Sequence, residues 1–170
     1  KDLIRGGLGG DTIHGGAGVD TIYGEQDNDV IFGESDKDFI YGGGGNDTID
    51  GGAGSNIIYG DDKTGDPDTG PDGNDTISGL HAPDEIHGQG GADTINAGGG
   101  NNKIFGDAGD DSITVGAGNS QIFGNAGTDT ITAGNGDHFI LGADGDDIIT
   151  VGTGNSAIRG NAGADHITVA

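Results

Sequence analysis

The sequence has no cysteine, no methionine and no tryptophan, only 3 prolines, and only 6 Lys and Arg against 29 Asp and Glu. The lack of cysteine fits an exported chain that does not rely on disulfides. Six scattered cations are too few to recognise nucleic acid or an anionic membrane. No apolar stretch is long enough for a signal peptide or a transmembrane helix. With 30% hydrophobic residues and a formal net charge of −23, a chain without internal order would stay unfolded. Its burial could not offset chain entropy and self-repulsion. A repeat reverses that expectation, because a solenoid buries a thin strip per coil and lets neighbouring coils complete the core.

What the sequence does have is 41 glycines, and they fall in a nine-residue frame. The first two complete copies are GGLGGDTIH (6–14) and GGAGVDTIY (15–23), of the form GGxGxDxUx with U apolar. The frame continues as GEQDNDVIF (24–32), GESDKDFIY (33–41), GGGGNDTID (42–50) and GGAGSNIIY (51–59). Ten residues at 60–69, GDDKTGDPDT, interrupt it as an acidic loop. It resumes at 70–78 (GPDGNDTIS) and runs unbroken through 160–168 (GNAGADHIT), giving 17 complete copies. Lys1–Arg5 reads as the tail of an earlier copy and Val169–Ala170 as the start of a later one, so residues 1–170 read as a single array cut from a larger protein.

Position 8 is Ile in all 17 copies, from Ile13 to Ile167, and Ile4 adds another. An x-Ile-x strand points its middle side chain to one face and the flanking pair to the other, so stacked strands line a narrow Ile core. The Gly-rich residues before each strand form the turn. Two copies make one coil, and the expected architecture is an all-β, right-handed parallel β-roll, a β-solenoid of about nine coils and roughly 40 Å.

Position 6 separates the two edges of such a roll. The odd-numbered copies carry Asp11, Asp29, Asp47, Asp75, Asp93, Asp111, Asp129, Asp147 and Asp165. The even-numbered copies carry Asp20, Asp38, Asn56, Asp84, Asn102, Ser120, His138 and Ser156. Carboxylates stacked about 5 Å apart repel unless a cation lies between them, and calcium suits carboxylates combined with main-chain carbonyls. A neutral side chain removes the repulsion and can hydrogen-bond to the next turn. The alternation predicts a complete calcium ladder on the odd edge. The even edge is calcium-competent near its start and then becomes a neutral Asn/Ser/His ladder.

This array resembles the repeats-in-toxin family, the haemolysin-type calcium-binding nonapeptide repeats of proteins exported by bacterial type I secretion. In that family an ion lies between same-edge turns, held by the carbonyls of positions 2 and 4 plus the Asp of one turn. The next turn adds the carbonyls of positions 1 and 3 plus its own Asp. The resemblance implies sites formed by Gly7, Gly9 and Asp11 with Gly24, Gln26 and Asp29, and by Asp107, Gly109 and Asp111 with Gly124, Ala126 and Asp129. On the even edge it implies a site from Gly16, Gly18 and Asp20 with Gly33, Ser35 and Asp38. Asn56 should weaken the next even site, and Ala82-Pro83 should distort the turn before Asp84. Eight to ten calcium ions are expected, mostly on the odd edge. Eight would reduce the formal charge from −23 to about −7. Folding should be coupled to cooperative calcium binding at extracellular concentrations, with site affinities of about 10⁻⁴–10⁻³ M.

Other signals are weaker. Asp61, Asp62, Asp66, Asp68 and Asp72 cluster in and after the interruption, as a solvated loop or as a separate calcium site. Tyr23, Tyr41, Tyr59, His87, Phe105, Phe123 and Leu141 recur at position 9 between Arg5 and Arg159. Joined by Phe39, Ile57 and Phe139 at position 7, they form an outward apolar stripe. It serves either as a cross-strand ladder or as a docking face for a neighbouring domain, further repeats or another copy. Thr114, Thr132, Thr150 and Thr168 suggest an ice-binding face, but their companions Ser112, Thr130, Ile148 and His166 are too irregular for one. The sequence contains neither HExxH nor GxSxG, so no enzyme is expected within it, although a catalytic domain could lie outside. The expected role is a secreted or cell-surface rod of the surface-layer or adhesin kind, the alternative being the export and folding module of a secreted protease, lipase or toxin.

Overall fold

The structure, a computed structural model, describes residues 1–62 and 72–170. Each x-Ile-x triplet forms a strand, and the strands alternate between two parallel sheets. One sheet stacks β1 (Leu3–Gly7), β3 (Thr21–Gln26), β5 (Phe39–Gly44), β7 (Ile57–Tyr59), β9 (Glu85–Gly90), β11 (Lys103–Ala108), β13 (Gln121–Ala126), β15 (Phe139–Asp144) and β17 (Ala157–Ala162). The other stacks β2 (Thr12–His14), β4 (Val30–Phe32), β6 (Thr48–Asp50), β8 (Thr76–Ser78), β10 (Thr94–Gly98), β12 (Ser112–Val115), β14 (Thr130–Ala133), β16 (Ile148–Val151) and β18 (His166–Val169). The chain is an all-β parallel solenoid of about nine turns.

The register follows the repeat. Ile95 pairs with Ile113, Ile113 with Ile131, and Ile104 with Ile122. The Ile side chains from Ile13 to Ile149 are buried between the two sheets and form one continuous core. Each contributes on the order of 2 kcal/mol of apolar burial. Ile167, in β18 at the edge of its sheet, is 43% exposed.

The interruption does not sit where the frame predicts. Gly60 remains in the coil, its carbonyl accepting the Gly43 N–H at 3.1 Å and its own N–H donating to His87 O at 2.9 Å. Asp61 also remains, buried at 2% exposure. The odd turn at this level is therefore built from Gly60 and Asp61 before the interruption and Asp72–Asp75 after it. Ile49 then pairs with Ile77 and Ile58 with Ile86, so both sheets cross the interruption in register. Residues 63–69 of the expected loop, including Asp66 and Asp68, lie outside the described residues.

On the outer face of the first sheet, Tyr23, Tyr41, Tyr59, His87, Phe105 and Phe123 stack in sequence with ring centroids 4.4–5.1 Å apart and planes within 16° of parallel. Arg5 caps the column, its guanidinium carbon 4.6 Å from the Tyr23 ring centre. Because the planes lie across the rod, ring edges meet solvent and ring faces meet one another. On the opposite sheet, Thr114, Thr132, Thr150 and Thr168 pair in register and are exposed.

Candidate metal centres

The odd edge is a ladder of carboxylates. In each odd turn one oxygen of the position-6 Asp accepts the main-chain N–H of its counterpart one coil earlier. Asp11 N–H donates to Asp29 Oδ1 at 2.7 Å, Asp29 to Asp47 at 2.8 Å, and Asp93 to Asp111 at 2.9 Å. The ladder crosses the interruption unbroken, with Asp47 donating to Asp75 and Asp75 to Asp93, both at 2.8 Å. An Asn/Asp ladder beside it at position 5 runs the opposite way, the N–H of the later coil donating to the earlier side chain. Examples are Asn46 N–H to Asn28 Oδ1 at 2.8 Å and Thr128 N–H to Asp110 Oδ1 at 2.7 Å.

From Asp11 to Asp147 the second oxygen of each ladder Asp is buried and has no protein donor. This holds for Oδ2 of Asp11, Asp29, Asp47, Asp75, Asp93, Asp111, Asp129 and Asp147 on the odd edge, and of Asp20, Asp38 and Asp84 on the even edge. A buried carboxylate oxygen without a donor is costly, and each of these lies against the position-1 glycine of its own turn. A methyl group on Gly6 would lie 2.7 Å from Asp11 Oδ2 and 2.6 Å from the Gly24 carbonyl oxygen. One on Gly33 would lie 2.8 Å from Asp38 Oδ2 and 2.6 Å from Gly51 O. Both oxygens converge beside the Cα of the position-1 glycine, so a carboxylate oxygen meets a main-chain carbonyl oxygen of the next coil there, the donor pair that calcium takes. The residues present fit calcium.

The electrostatics agree. Burial, the largest cause, pushes Asp75 and Asp93 up to about 8, Asp47, Asp84 and Asp111 to about 7, and Asp129 to about 6. The neighbouring ladder carboxylates add repulsion, as Asp75 and Asp111 do at Asp93. Burial raises Asp29, Asp38 and Asp147 as well.

The residues expected to act together lie in adjacent turns. Gly24 O and Asp11 Oδ2 converge beside Gly6, which places Gly7, Gly9 and Asp11 against Gly24, Gln26 and Asp29. Gly124 O and Asp111 Oδ2 converge beside Gly106, so Asp107, Gly109 and Asp111 meet Gly124, Ala126 and Asp129 in the same way. On the even edge Gly33 O and Asp20 Oδ2 lie 2.8 and 3.5 Å from a methyl position on Gly15, in the turn of Gly16 and Gly18. Gly16 O already accepts both the N–H and the hydroxyl of Ser35, at 3.2 and 3.3 Å, whereas Ala126 O accepts the Gly109 N–H at 2.7 Å and keeps a second lone pair. Asp165 accepts the Asp147 N–H at 3.1 Å and ends the odd ladder. Among the described residues no three His, Asp or Glu side chains converge as a metal group.

The even edge changes chemistry partway along. Asp84 is buried at 3% exposure and keeps its place in the ladder, accepting the Asn56 N–H at 2.8 Å and donating to Asn102 Oδ1 at 2.9 Å. Ala82-Pro83 leaves Asp84 in the ladder but alters the turn before it: position 4 has positive φ in the flanking even turns, at Gly54 (126°) and Gly100 (114°), and not at Ala82. Elsewhere neutral side chains accept the ladder N–H and also supply a donor. Asn56 Nδ2 donates to Gly51 O at 2.8 Å and Asn102 Nδ2 to Ala97 O at 3.3 Å. The Ser120 and Ser156 hydroxyls donate to Gly100 O and Gly136 O at 3.3 and 3.1 Å. His138 Nδ1 accepts the Ser120 N–H at 3.2 Å while Nε2 lies 3.3 Å from Gly134 O, a pairing that fits the neutral ring with its proton on Nε2.

A second signal lies at position 1, and reading position 6 alone missed it. The odd copies and the first four even copies place Gly there, where a side chain would meet the position-6 side chain of the same turn. The later even turns place Ala97, Val115, Ala133 and Val151 there, all buried in the core at 0–3% exposure. The space before a ladder Asp elsewhere is filled here by a hydrocarbon group.

A family model for the RTX calcium-binding nonapeptide repeat, in units of 4 copies, matches residues 1–31, 32–62, 69–104, 105–137 and 141–169. No curated protein matches the chain.

Proposed function

The chain belongs to the RTX calcium-binding nonapeptide-repeat family, and from that premise we propose that it is a calcium-triggered structural rod of a secreted or cell-surface bacterial protein. It remains unfolded during export by a type I route and becomes rigid on meeting extracellular calcium. The observation that carries this reading is the row of buried, unpartnered Oδ2 atoms from Asp11 to Asp147. In a metal-free chain these carboxylates would have to be buried without donors and against one another, a cost the thin Ile core opposes only weakly. Calcium supplies the positive charge that makes their burial favourable. The Asp side chains fix the coil spacing through Oδ1 and present Oδ2 inward, while position-1 Gly keeps the space open.

A surface-layer or adhesin-type segment is the role that best uses a straight array with a long metal ladder and a stacked aromatic column on one face. That column is where we place contact with neighbouring domains, further repeats or a second copy. The deciding experiment is a calcium titration followed by far-UV circular dichroism, with stoichiometry from calorimetry. Cooperative gain of β-structure with about eight to ten ions supports the reading. A chain already folded in chelator removes the trigger, and about sixteen ions would mean that the Asn/Ser/His edge binds as well.

A further inference from the structure

The interruption breaks one calcium turn, and the geometry points to Asp61 as the positioning residue that rebuilds it. The odd turns after the interruption close through the main chain: the position-4 N–H groups of Gly109, Gly127 and Gly145 donate to the carbonyls of Ala126, Asp144 and Ala162 in the next coil at 2.7, 2.9 and 2.8 Å, whereas in the first odd turn Gly9 N–H donates to Asp27 Oδ2 at 3.0 Å. The position-2 residues of uninterrupted odd turns include Gly7, Glu25, Gly43, Asn125 and Ala143, so the family's turn requires no particular side chain there. The interrupted turn differs. Its strand β7 stops at Tyr59, three residues short of the usual length seen in β9. The main-chain pairing of positions 2 and 3 is lost with it.

Asp61 replaces that pairing with its side chain. Its Oδ1 accepts the N–H of Gly73, which follows the interruption, and its Oδ2 accepts the N–H of Gly90 in the next coil, each at 2.9 Å. The carboxylate is 2% exposed, and both of its oxygens are used. It thereby ties the two ends of the break to each other and to the coil above. Gln89 Nε2, donating to Asp62 O at 2.9 Å, anchors the chain at its point of departure.

The consequence reaches two metal gaps. Gly60, adjacent to Asp61, places its carbonyl beside Asp47 Oδ2 at the Cα of Gly42, and its own Cα borders Asp75 Oδ2 and Gly88 O. Holding Asp61 therefore holds Gly60 in place for the gap below and the gap above. This inference rests on the calcium reading proposed for the odd edge.

The test pairs Asp61→Ala with deletion of residues 62–71, which leaves GDDGNDTIS, a complete nonapeptide. In the intact chain, Asp61→Ala should lower the calorimetric calcium stoichiometry by two and split the single folding transition into two. In the deleted chain the main-chain pairing returns, so the same substitution should leave stoichiometry and cooperativity unchanged. Failure of Asp61→Ala to fold in the intact chain alone would support the same conclusion. Equal losses in both backgrounds would mean an ordinary packing role, and unchanged stoichiometry in the intact chain would remove the role altogether. A parent chain that takes up no calcium would overturn both this inference and the calcium reading. A calcium-binding parent with an indifferent Asp61→Ala overturns this one only.

Discussion

The main-chain N–H of Asp93 donates to Oδ1 of Asp111 at 2.9 Å, and Oδ2 of the same carboxylate is buried without a partner. One oxygen builds the protein and the other is left for a cation. The two functions can be separated by substitution. Asp111→Asn keeps an Oδ1 acceptor and should turn its Nδ2 toward a turn carbonyl, as Asn56 does toward Gly51 O. The variant should fold at higher calcium and bind one or two ions fewer by calorimetry. Unchanged stoichiometry would show that Oδ2 of Asp111 holds no ion.

Ser120→Ala probes the opposite edge. The hydroxyl accepts the Asn102 N–H at 3.1 Å and donates to Gly100 O at 3.3 Å. Its loss should cost about 1–3 kcal/mol in calcium-saturated denaturation, because a buried N–H and C=O lose partners. The ion count should stay the same. A fall in the count would place calcium on the neutral edge.

The pH dependence follows from the raised carboxylates. In the metal-free fold Asp129 lies at about 6, Asp47, Asp84 and Asp111 at about 7, and Asp75 and Asp93 at about 8. The unfolded chain titrates near the ordinary value of about 3.9. Between about pH 4 and 8 the folded state therefore holds more protons than the unfolded one. This contribution is fully present below about pH 4 and is lost as pH rises through 6 to 8. In chelator, β-structure by circular dichroism should be greater near pH 5 than near pH 8. A metal-free spectrum that does not change between those pH values contradicts this account.

Much of the architecture was legible because the core is one residue type at one position. Ile at position 8 and the odd Asp series state the coil period directly, and both sheets keep that period. The break at Gly60–Asp61 was not legible. A nine-residue frame can resume at 70 with an intact pattern, and only the hydrogen bonds from Gly43 and to His87 show that Gly60 still occupies position 1. The role of Ala97, Val115, Ala133 and Val151 was written in the sequence but required a third dimension to read. A side chain at position 1 signals a changed ladder only once Gly6 and Gly33 show that the Asp Oδ2 lies against that position. The Asp61 contacts with Gly73 and Gly90 join residues 12 and 29 positions away, and no repeat pattern encodes them.

Position 1 gives the strongest test of how the two edges diverged. If a hydrocarbon group at Val115 and Ala133 closes the space, acidic substitution alone cannot recreate a site. Ser120→Asp with His138→Asp would bury two carboxylates against hydrocarbon groups, so this pair should destabilise the roll and add no calcium. Adding Val115→Gly and Ala133→Gly opens the space that Gly106 and Gly124 leave open on the odd edge, where Asp111 and Asp129 sit. The fourfold variant should bind one calcium ion more than the parent and recover cooperativity in the titration. Val115→Ala by itself should cost about 2 kcal/mol from lost burial, with the ion count unchanged. Recovery of an ion by the two Asp substitutions without the glycines would mean that position 1 does not gate the metal.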